Sequence, residues 1–381
     1  MCDTFCGVGP AGTLFAKNSD RPPVEPQVIE QHEARPAGSK PRRMQHIEVD
    51  DGPAHAVVLS RPTWMAGAEH GVNEHGLAVG NERVYSRRDL TGAPALVGMD
   101  LVRLTLERAR TADEGIDVLT SLLASYGQGG TCSATSDDPY DSSFLLADPR
   151  GGWVVETSGR DWAARRIEVG AAISNRYTLG SQWHRAADTV PAGTDVGRWH
   201  DPRVDTRLAD HRLAVTSACA GDRPTPVEAV AALRDHGPGE PLPQSVGEDL
   251  SGVTVCMHVR GSLATTASMV ADLATEASPR LWLCLGSPCV GVYVPTRVDS
   301  VPAVLGAEDR WRQAAALRDR VEADGPALAP IRGVLDPLEA ELWQQADELH
   351  VRTDDPAAHA AMADGAASRV DDAVVSLLAA S

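Results

Sequence analysis

The chain has 381 residues, 43% of them hydrophobic, and 53 acidic against 35 basic residues give it a net charge of −18. That length calls for one large domain with an appendage, or for two domains. The acidic balance argues against nucleic acid or a membrane as partner, because both need basic patches. No basic leader with an apolar run opens the chain, and no stretch approaches the ~18 apolar residues of a membrane span. The seven cysteines, at 2, 6, 132, 219, 256, 284 and 289, are odd in number and scattered. Together these features predict reduced thiols in a cytoplasmic protein.

Residues 1–21 read as strand, turn, strand: "TFCGVG", "PAG", then "TLFAKNSD". "HAVVLS" (55–60) is a compact apolar strand, and "HGVNEHGLAVGNERV" (70–84) reads as a hairpin ending in a buried strand. Met99, Val102, Leu106 and Ala109 recur at helix spacing. A second helix follows, opened by a capping-box pair, Thr111 and Glu114, and closed by the glycines of "YGQGG" (126–130). "SSFLLAD", "PRGG" and "WVVETSG" predict a hairpin over 142–159, and 162–175 gives one or two more strands. The stretch 185–250 is polar, with short helical patches such as 226–236, and reads as an insert. "GVTVCMHV", "ATTASMVADL" and "RLWLCLGS" (252–287) resume a sheet that "PCVGVYVPTRV" closes. Amphipathic helices follow from about 305. Strands and helices are segregated, which predicts an α+β fold with layered antiparallel sheets covered by helices. No dinucleotide or P-loop glycine pattern occurs.

The chemistry candidates begin at Cys2. Methionine is commonly removed before a small second residue, which would leave a thiol and a free α-amine on one residue. With pKa values of ~8.5 and ~7.7–8.0, that amine is a plausible base for its own thiol. An ordinary strand cysteine is the alternative. In "FAKNSDRP" (15–22), Asp20 is placed to hold the α-amine, and Lys17 to lower the thiol pKa or meet a substrate carboxylate. Asn18 and Arg21 order the strand end and, with Trp64, are the candidate substrate contacts. A polar strand end before two prolines accounts for the same residues without any function. Asn81 and Asn175 each follow an apolar strand, where an amide can donate to an oxyanion or simply turn the chain. Trp64, Trp162 and Trp183 are wall or core residues. Thr265 and Thr266 are left open between pocket and strand interior. No metal or other cofactor is expected: Cys2 and Cys6 lack further ligands nearby, and His70 and His75 have hairpin spacing.

Those residues, in order, resemble the secernin group of peptidase family C69, which contains N-terminal-nucleophile dipeptidases. The resemblance rests on "CDTF" (2–5), "FAKNSDRP", "LSRPTWMAGAEHGVNEHGLAVGNE" (59–82), "GMDLVRLTLERARTADEGIDVL" (98–119), "VVETSGRDWAARRI" (154–167), "ISN" (173–175) and "TTASMV" (265–270). It weakens over 185–250 and after about 300. It implies a four-layer αββα sandwich with Cys2 as nucleophile, Asp20 on its α-amine, and Asn81 and Asn175 as oxyanion and substrate amides. Lys17 stands where the more distant bile-salt hydrolases and penicillin V acylases carry arginine. Cys6 replaces a usual apolar residue and is read as facing away from Cys2 or into the core. The implied organisation is a domain over 1–300 with a variable insert around 185–250, and a helical C-terminal tail over 301–381 that packs on it or forms a homo-oligomer interface. The implied reaction is hydrolysis of a dipeptide or other linear amide. An acyltransferase using the same thioester and a non-catalytic secernin-like protein are the alternatives. Substrate contacts are expected from loops 61–70 and 126–142 and from the insert.

Overall fold

Sequence runs that look apolar throughout are strands buried on both faces. The computed structural model describes residues 1–90, 92–237, 250, 252–274 and 278–380. Its first half holds β1 (Cys2–Gly9), β2 (Gly12–Arg21), β3 (Gln27–His32), the short ribbon β4 (Arg42–Arg43) and β5 (Glu48–Val49), β6 (Val57–Pro62), β7 (His70–Asn73), β8 (Ala78–Val84), α1 (Gly98–Arg108) and α2 (Ala112–Tyr126). Next come β9 (Asp141–Asp148), β10 (Gly151–Ser158), β11 (Asp161–Ile167), β12 (Gly170–Ile173), β13 (Arg185–Ala186), α3 (Arg207–Cys219) and α4 (Pro226–Leu233). The last part holds β14 (His258–Val259), β15 (Leu263–Ala274), β16 (Arg280–Leu285), β17 (Val294–Arg297), α5 (Glu308–Ala323), α6 (Leu328–Arg352) and α7 (Pro356–Ala379).

Among the described residues, one antiparallel sheet runs β12-β1-β2-β15-β16-β17, with β14 paired to β15, and the other runs β13-β11-β10-β9-β8-β7-β6-β3. The period-2 alternation of strands divides each strand between two cores. In β9, Phe144 and Leu146 face α1 and α2, while Leu145 and Ala147 face the other sheet. In β2, Leu14 and Ala16 face α3 and α4, while Phe15 meets the core between the sheets. Helices α5–α7 cover the same outer face farther along, over Val290, Val292 and Val294. The layer order is therefore helix, sheet, sheet, helix, an αββα sandwich with a C-terminal helical region. Among the described residues no helix is long and apolar enough to cross a membrane.

Local chemistry sets the joints. The β1–β2 turn needs Gly12: its φ is +125°, and a Cβ there would lie 2.2 Å from the Leu273 carbonyl oxygen. Thr111 caps α2 by accepting from the Glu114 N–H, as the sequence pattern predicts. Thr225 and Glu228 form a full capping box on α4, with Pro226 in its first turn. The β2–β15 ladder shifts register between Thr265 and Ala267, a bulge of one residue.

Two expectations need correction, and one open alternative is decided. The run 252–257, read as a strand, is irregular chain that buries Val253, Val255 and Cys256, and pairing begins only at His258. The insert is more ordered than its polar composition suggests, since α3 and α4 lie against the outer face of the first sheet; its part from 238 to 249 lies outside the described residues. Of the two alternatives for Cys6, the core is the one adopted: it lies between the sheets, on the same face of β1 as Cys2.

Two polar ties cross the layers. Asn18 Nδ2 donates to Leu233 O (2.9 Å) and Val255 O (2.8 Å), fixing α4 and the 255 segment to β2. Lys17 Nζ, on the opposite face of β2, donates to Glu82 Oε1 (3.0 Å) and Asn81 O (2.6 Å) on β8 in the other sheet. Asn18→Ala should lower stability by about 2–3 kcal/mol in urea unfolding, because two buried carbonyls lose their donor; a loss below about 0.5 kcal/mol would discount the tie. Lys17→Met should cost about 3–5 kcal/mol by leaving Glu82 buried and unpaired. Adding Glu82→Gln should recover most of that loss, and no recovery would show that the ion pair is not the cause.

Candidate active site

The site grows from the first residue pair of β1. Cys2 is almost fully buried and pairs with Ser19 on β2, and the chain ahead of it continues the ladder. The Met1 α-amine donates to Asp20 O (2.9 Å), and the Asp20 N–H donates to Met1 O (2.8 Å). The Cys2 N–H donates to Asn175 Oδ1 at 3.1 Å. Asn175 sits just beyond β12, the neighbour of β1, and its Nδ2 donates to Arg83 O (2.8 Å), so its amide orientation is fixed.

Arg212 on α3 organises this end of the strand and has no solvent exposure. Its Nη1 donates to Asp3 Oδ2 (2.8 Å) and Cys2 O (3.2 Å), and its Nη2 donates to Asn175 Oδ1 (2.7 Å). The same guanidinium stands 3.8 Å from Asp20 Oδ2. Asp20 Oδ1 accepts from Thr265 Oγ1 at 2.8 Å. Burial pushes the Asp20 carboxyl up to about 7, against the pull of the Met1 amine and Arg212.

The Cys2 sulfur points the other way, toward the second sheet. Its Sγ is 3.7 Å from Glu69 Oε2. Burial pushes the thiol up to about 12; Lys17 draws it down and Glu69 raises it further. Burial opposes the charge on Lys17, but Cys2, Glu82 and Glu69 together hold its pKa above the ordinary lysine value. Burial and Lys17 keep the neighbouring His70 well below its usual range, so its ring, 3.1 Å from Ser19 Oγ, is neutral.

Above Cys2 opens a cavity of about 510 Å³, whose walls include Met1, Asp20, Glu69, Arg83, Asp138 and Tyr140. Arg21 is there too, held by Glu25 (2.6 Å), Glu69 (2.6 Å) and Cys132 O (2.9 Å). Of the candidates, Cys2, Asp20 and Arg21 reach this cavity. Asn175 and Lys17 stand behind it and touch Cys2 through a hydrogen bond and through charge. Asn81 also lies behind the wall: its Nδ2 rests 3.5 Å from Met99 Sδ, a weak acceptor, and its Oδ1 has no partner. Asn18 faces away from the cavity toward α4. Trp64 lies beneath Arg21, 5.8 Å from the guanidinium carbon, and does not line the cavity. Trp162 and Trp183 pack against the cores instead.

The loops 61–70 and 126–142 do supply wall residues, whereas among the described residues the insert supplies none and instead places Arg212. Pro22 and Pro23, read from the sequence only as the turn after a strand end, complete the wall with Val24 and residues 261–263. Arg212, Glu69 and Thr265 are the site members that sequence reasoning missed or left open. The one available signal for Arg212 is its place in a helix whose other buried positions, Ala209 and Thr216, are small or polar.

Comparison with known proteins adds the following. Residues 53–188 match the family model described as Peptidase family C69. Among solved structures, a penicillin V acylase from Agrobacterium tumefaciens aligns with a TM-score of 0.45 and 16% identity, covering 79% of this chain and 87% of that one. A mutant conjugated bile acid hydrolase from Clostridium perfringens aligns at 0.43 and 13%, covering 74% and 88%. An N-acylethanolamine-hydrolyzing acid amidase ortholog from Caenorhabditis elegans aligns at 0.37 and 10%, covering 71% and 92%. The family is one of peptidases, so its match supports a hydrolase of amide bonds. From just ahead of β6 to just past β13, the chain is matched to peptidase family C69.

Proposed function

We propose that this protein is a cysteine N-terminal-nucleophile amidohydrolase that cleaves a dipeptide or another small linear amide through a thioester on Cys2. The observation that carries the reading is the placement of Cys2 on the cavity floor with its backbone nitrogen held by Asn175 and its sulfur turned to Glu69 of the cavity wall. Removal of Met1 turns that nitrogen into an α-amine beside the thiol. Arg212 shares the Asn175 Oδ1 acceptor with this nitrogen. That shared acceptor fixes the amine beside the thiol, and Asp20, 3.8 Å from the same guanidinium, orients it.

The amine then takes the thiol proton as sulfur attacks the substrate carbonyl. Asn81, behind the wall, donates to the oxyanion by turning its amide from Met99 Sδ toward the sulfur. The protonated amine passes its proton to the leaving nitrogen, the C–N bond breaks, and a thioester remains. Water, deprotonated by the same amine, releases the acid. The reaction as drawn calls on no other group. Arg21, Arg83, Glu69 and Asp138 line the cavity. Charges of both signs suit a small zwitterion and disfavour a long apolar acyl chain, which supports a dipeptide.

Intact mass of active protein should lack Met1, and Cys2→Ala should lower turnover of a dipeptide panel at least about a thousandfold. Unchanged turnover in that variant, or an active form that retains Met1, would sink the mechanism. A pH series provides a second check. Turnover should rise with pH as the α-amine loses its proton and the raised Asp20 carboxyl ionises, and Asp20→Asn should shift the midpoint of that acidic limb. Stability should run the other way. Asp20, Glu82 and Glu156 are each pushed up to about 7, mainly by burial. Between about 4 and 7 the folded chain therefore binds more protons than the unfolded one, and stability falls as pH rises through that window. Thermal unfolding that shows stability rising over it would contradict these shifts.

A further inference from the structure

A second cluster of nucleophilic and imidazole groups lies outside the cavity. His236, Cys256, His258 and Cys289 each bring one ligand-capable atom to within 4.8 Å of every other. The last three are buried, and His236 is partly so. His258 Nε2 lies 3.2 Å from Cys289 Sγ and 3.4 Å from Cys256 Sγ. The rings of His236 and His258 are 5.3 Å apart between centroids, and His236 Nε2 has no hydrogen-bond partner. None of the four lines the cavity above Cys2. The two cysteines are free thiols.

We propose that His236, Cys256, His258 and Cys289 bind one zinc ion in a structural site. A tetrahedron with Zn–S of about 2.3 Å and Zn–N of about 2.0–2.1 Å has edges of about 3.3–3.8 Å, and the two printed nitrogen–sulfur separations are close to that range. Two thiolates and two neutral imidazoles around a divalent ion sum to zero charge, which suits a buried position. The donor set is nitrogen and sulfur with no carboxylate oxygen, so it selects zinc over calcium or magnesium. Four protein ligands leave no open coordination position, which assigns the ion to structure and not to catalysis. A carboxylate stands behind one ligand: Glu322 Oε1 on α5 is 2.9 Å from His258 Nδ1, which turns Nε2 toward the sulfurs.

The site would join four separate pieces of chain: the turn after α4, the approach to β14, the 288–290 turn and, through Glu322, α5. It also stands two hydrogen bonds from Asp20. Met257 lies between two of the ligands, and its N–H donates to Thr265 Oγ1 (2.8 Å), the hydroxyl that donates to Asp20. Metal binding would thereby stiffen the wall of the candidate active site.

The test uses the full-length chain, purified under reducing conditions without chelator, and reads metal with no substrate present. Elemental analysis should find about one zinc per chain. Protein stripped and refilled with cobalt should show the intense visible bands of a tetrahedral thiolate site. Cys289→Ser should roughly halve the thiolate-to-cobalt band, since Cys256 remains, and His236→Ala, at the least buried ligand and so the gentler change, should weaken cobalt binding at least tenfold. Reduced wild-type protein that takes up neither zinc nor cobalt would overturn the proposal. So would variants that bind as tightly as wild type, or metal-free protein two hydrogens lighter through a Cys256–Cys289 disulfide. None of these outcomes depends on whether Cys2 hydrolyses amides.

Discussion

A guanidinium without access to water holds the N-terminal strand in place. Beside a bond to Leu208 O on its own helix, Arg212 reaches residues that define the start of β1 or face it: Asp3, Cys2 O, Asn175 and Asp20. Chain ends ordinarily fray. Here the first strand is central in a sheet, between β12 and β2, and a buried cation on α3 ties it from the outer side. An unpaired buried charge is costly, so guanidinium and carboxylates hold one another in position. The result is a nucleophile whose nitrogen and sulfur point in fixed and different directions.

The two faces of β1 and β2 divide the labour. The outer face carries Asp3, Asn18 and Asp20 and meets helices; the inner face carries Cys2, Thr4, Lys17 and Ser19 and meets the second sheet. Between the sheets, apolar packing gives way near Cys2 to a small polar network in which Thr4 and Lys17 converge on Glu82 Oε1, and Gln27 joins Ser60 to Thr266. Low polarity around this network strengthens each contact and raises the penalty for a missing one. The same burial that holds the thiol geometry also keeps it protonated. Reactivity then depends on a base close at hand and not on a low thiol pKa, which is the circumstance in which an α-amine on the same residue is useful.

Much of this was legible in the sequence, for reasons that differ by element. The strands announced themselves because both faces are buried, and α1 and α2 because their stripes and caps are regular. Cys2, Asp20, Lys17, Asn81 and Asn175 stood out as polar residues beside apolar runs, and the structure gathers them around one end of the sandwich, with Lys17 and Asn81 inside β2 and β8 and not beyond their ends. Asn18 misled because a strand end says nothing about which face meets the cavity; one residue of alternation separates it from Lys17. Arg212 was invisible to a search for apolar periodicity, because the buried face of α3 is built of Ala209, Arg212 and Thr216. The cluster of His236, Cys256, His258 and Cys289 escaped for a related reason. Local spacing reveals ligands only when they share one hairpin or helix, and these are spread over more than fifty residues and meet through tertiary packing.

The register shift in β15 shows how one residue can serve two networks. Beyond it, odd-numbered side chains such as Met269 and Ala271 face the other sheet and even-numbered ones such as Val270 face the helices. Before it the parity is reversed: Thr265 reaches outward to Asp20, and Thr266 inward to Gln27. The bulge is a change of phase within a single strand. An unbroken ladder would send Thr265 to the inner face and leave the Asp20 carboxylate without its hydroxyl donor, although not one side chain in the sequence would have changed.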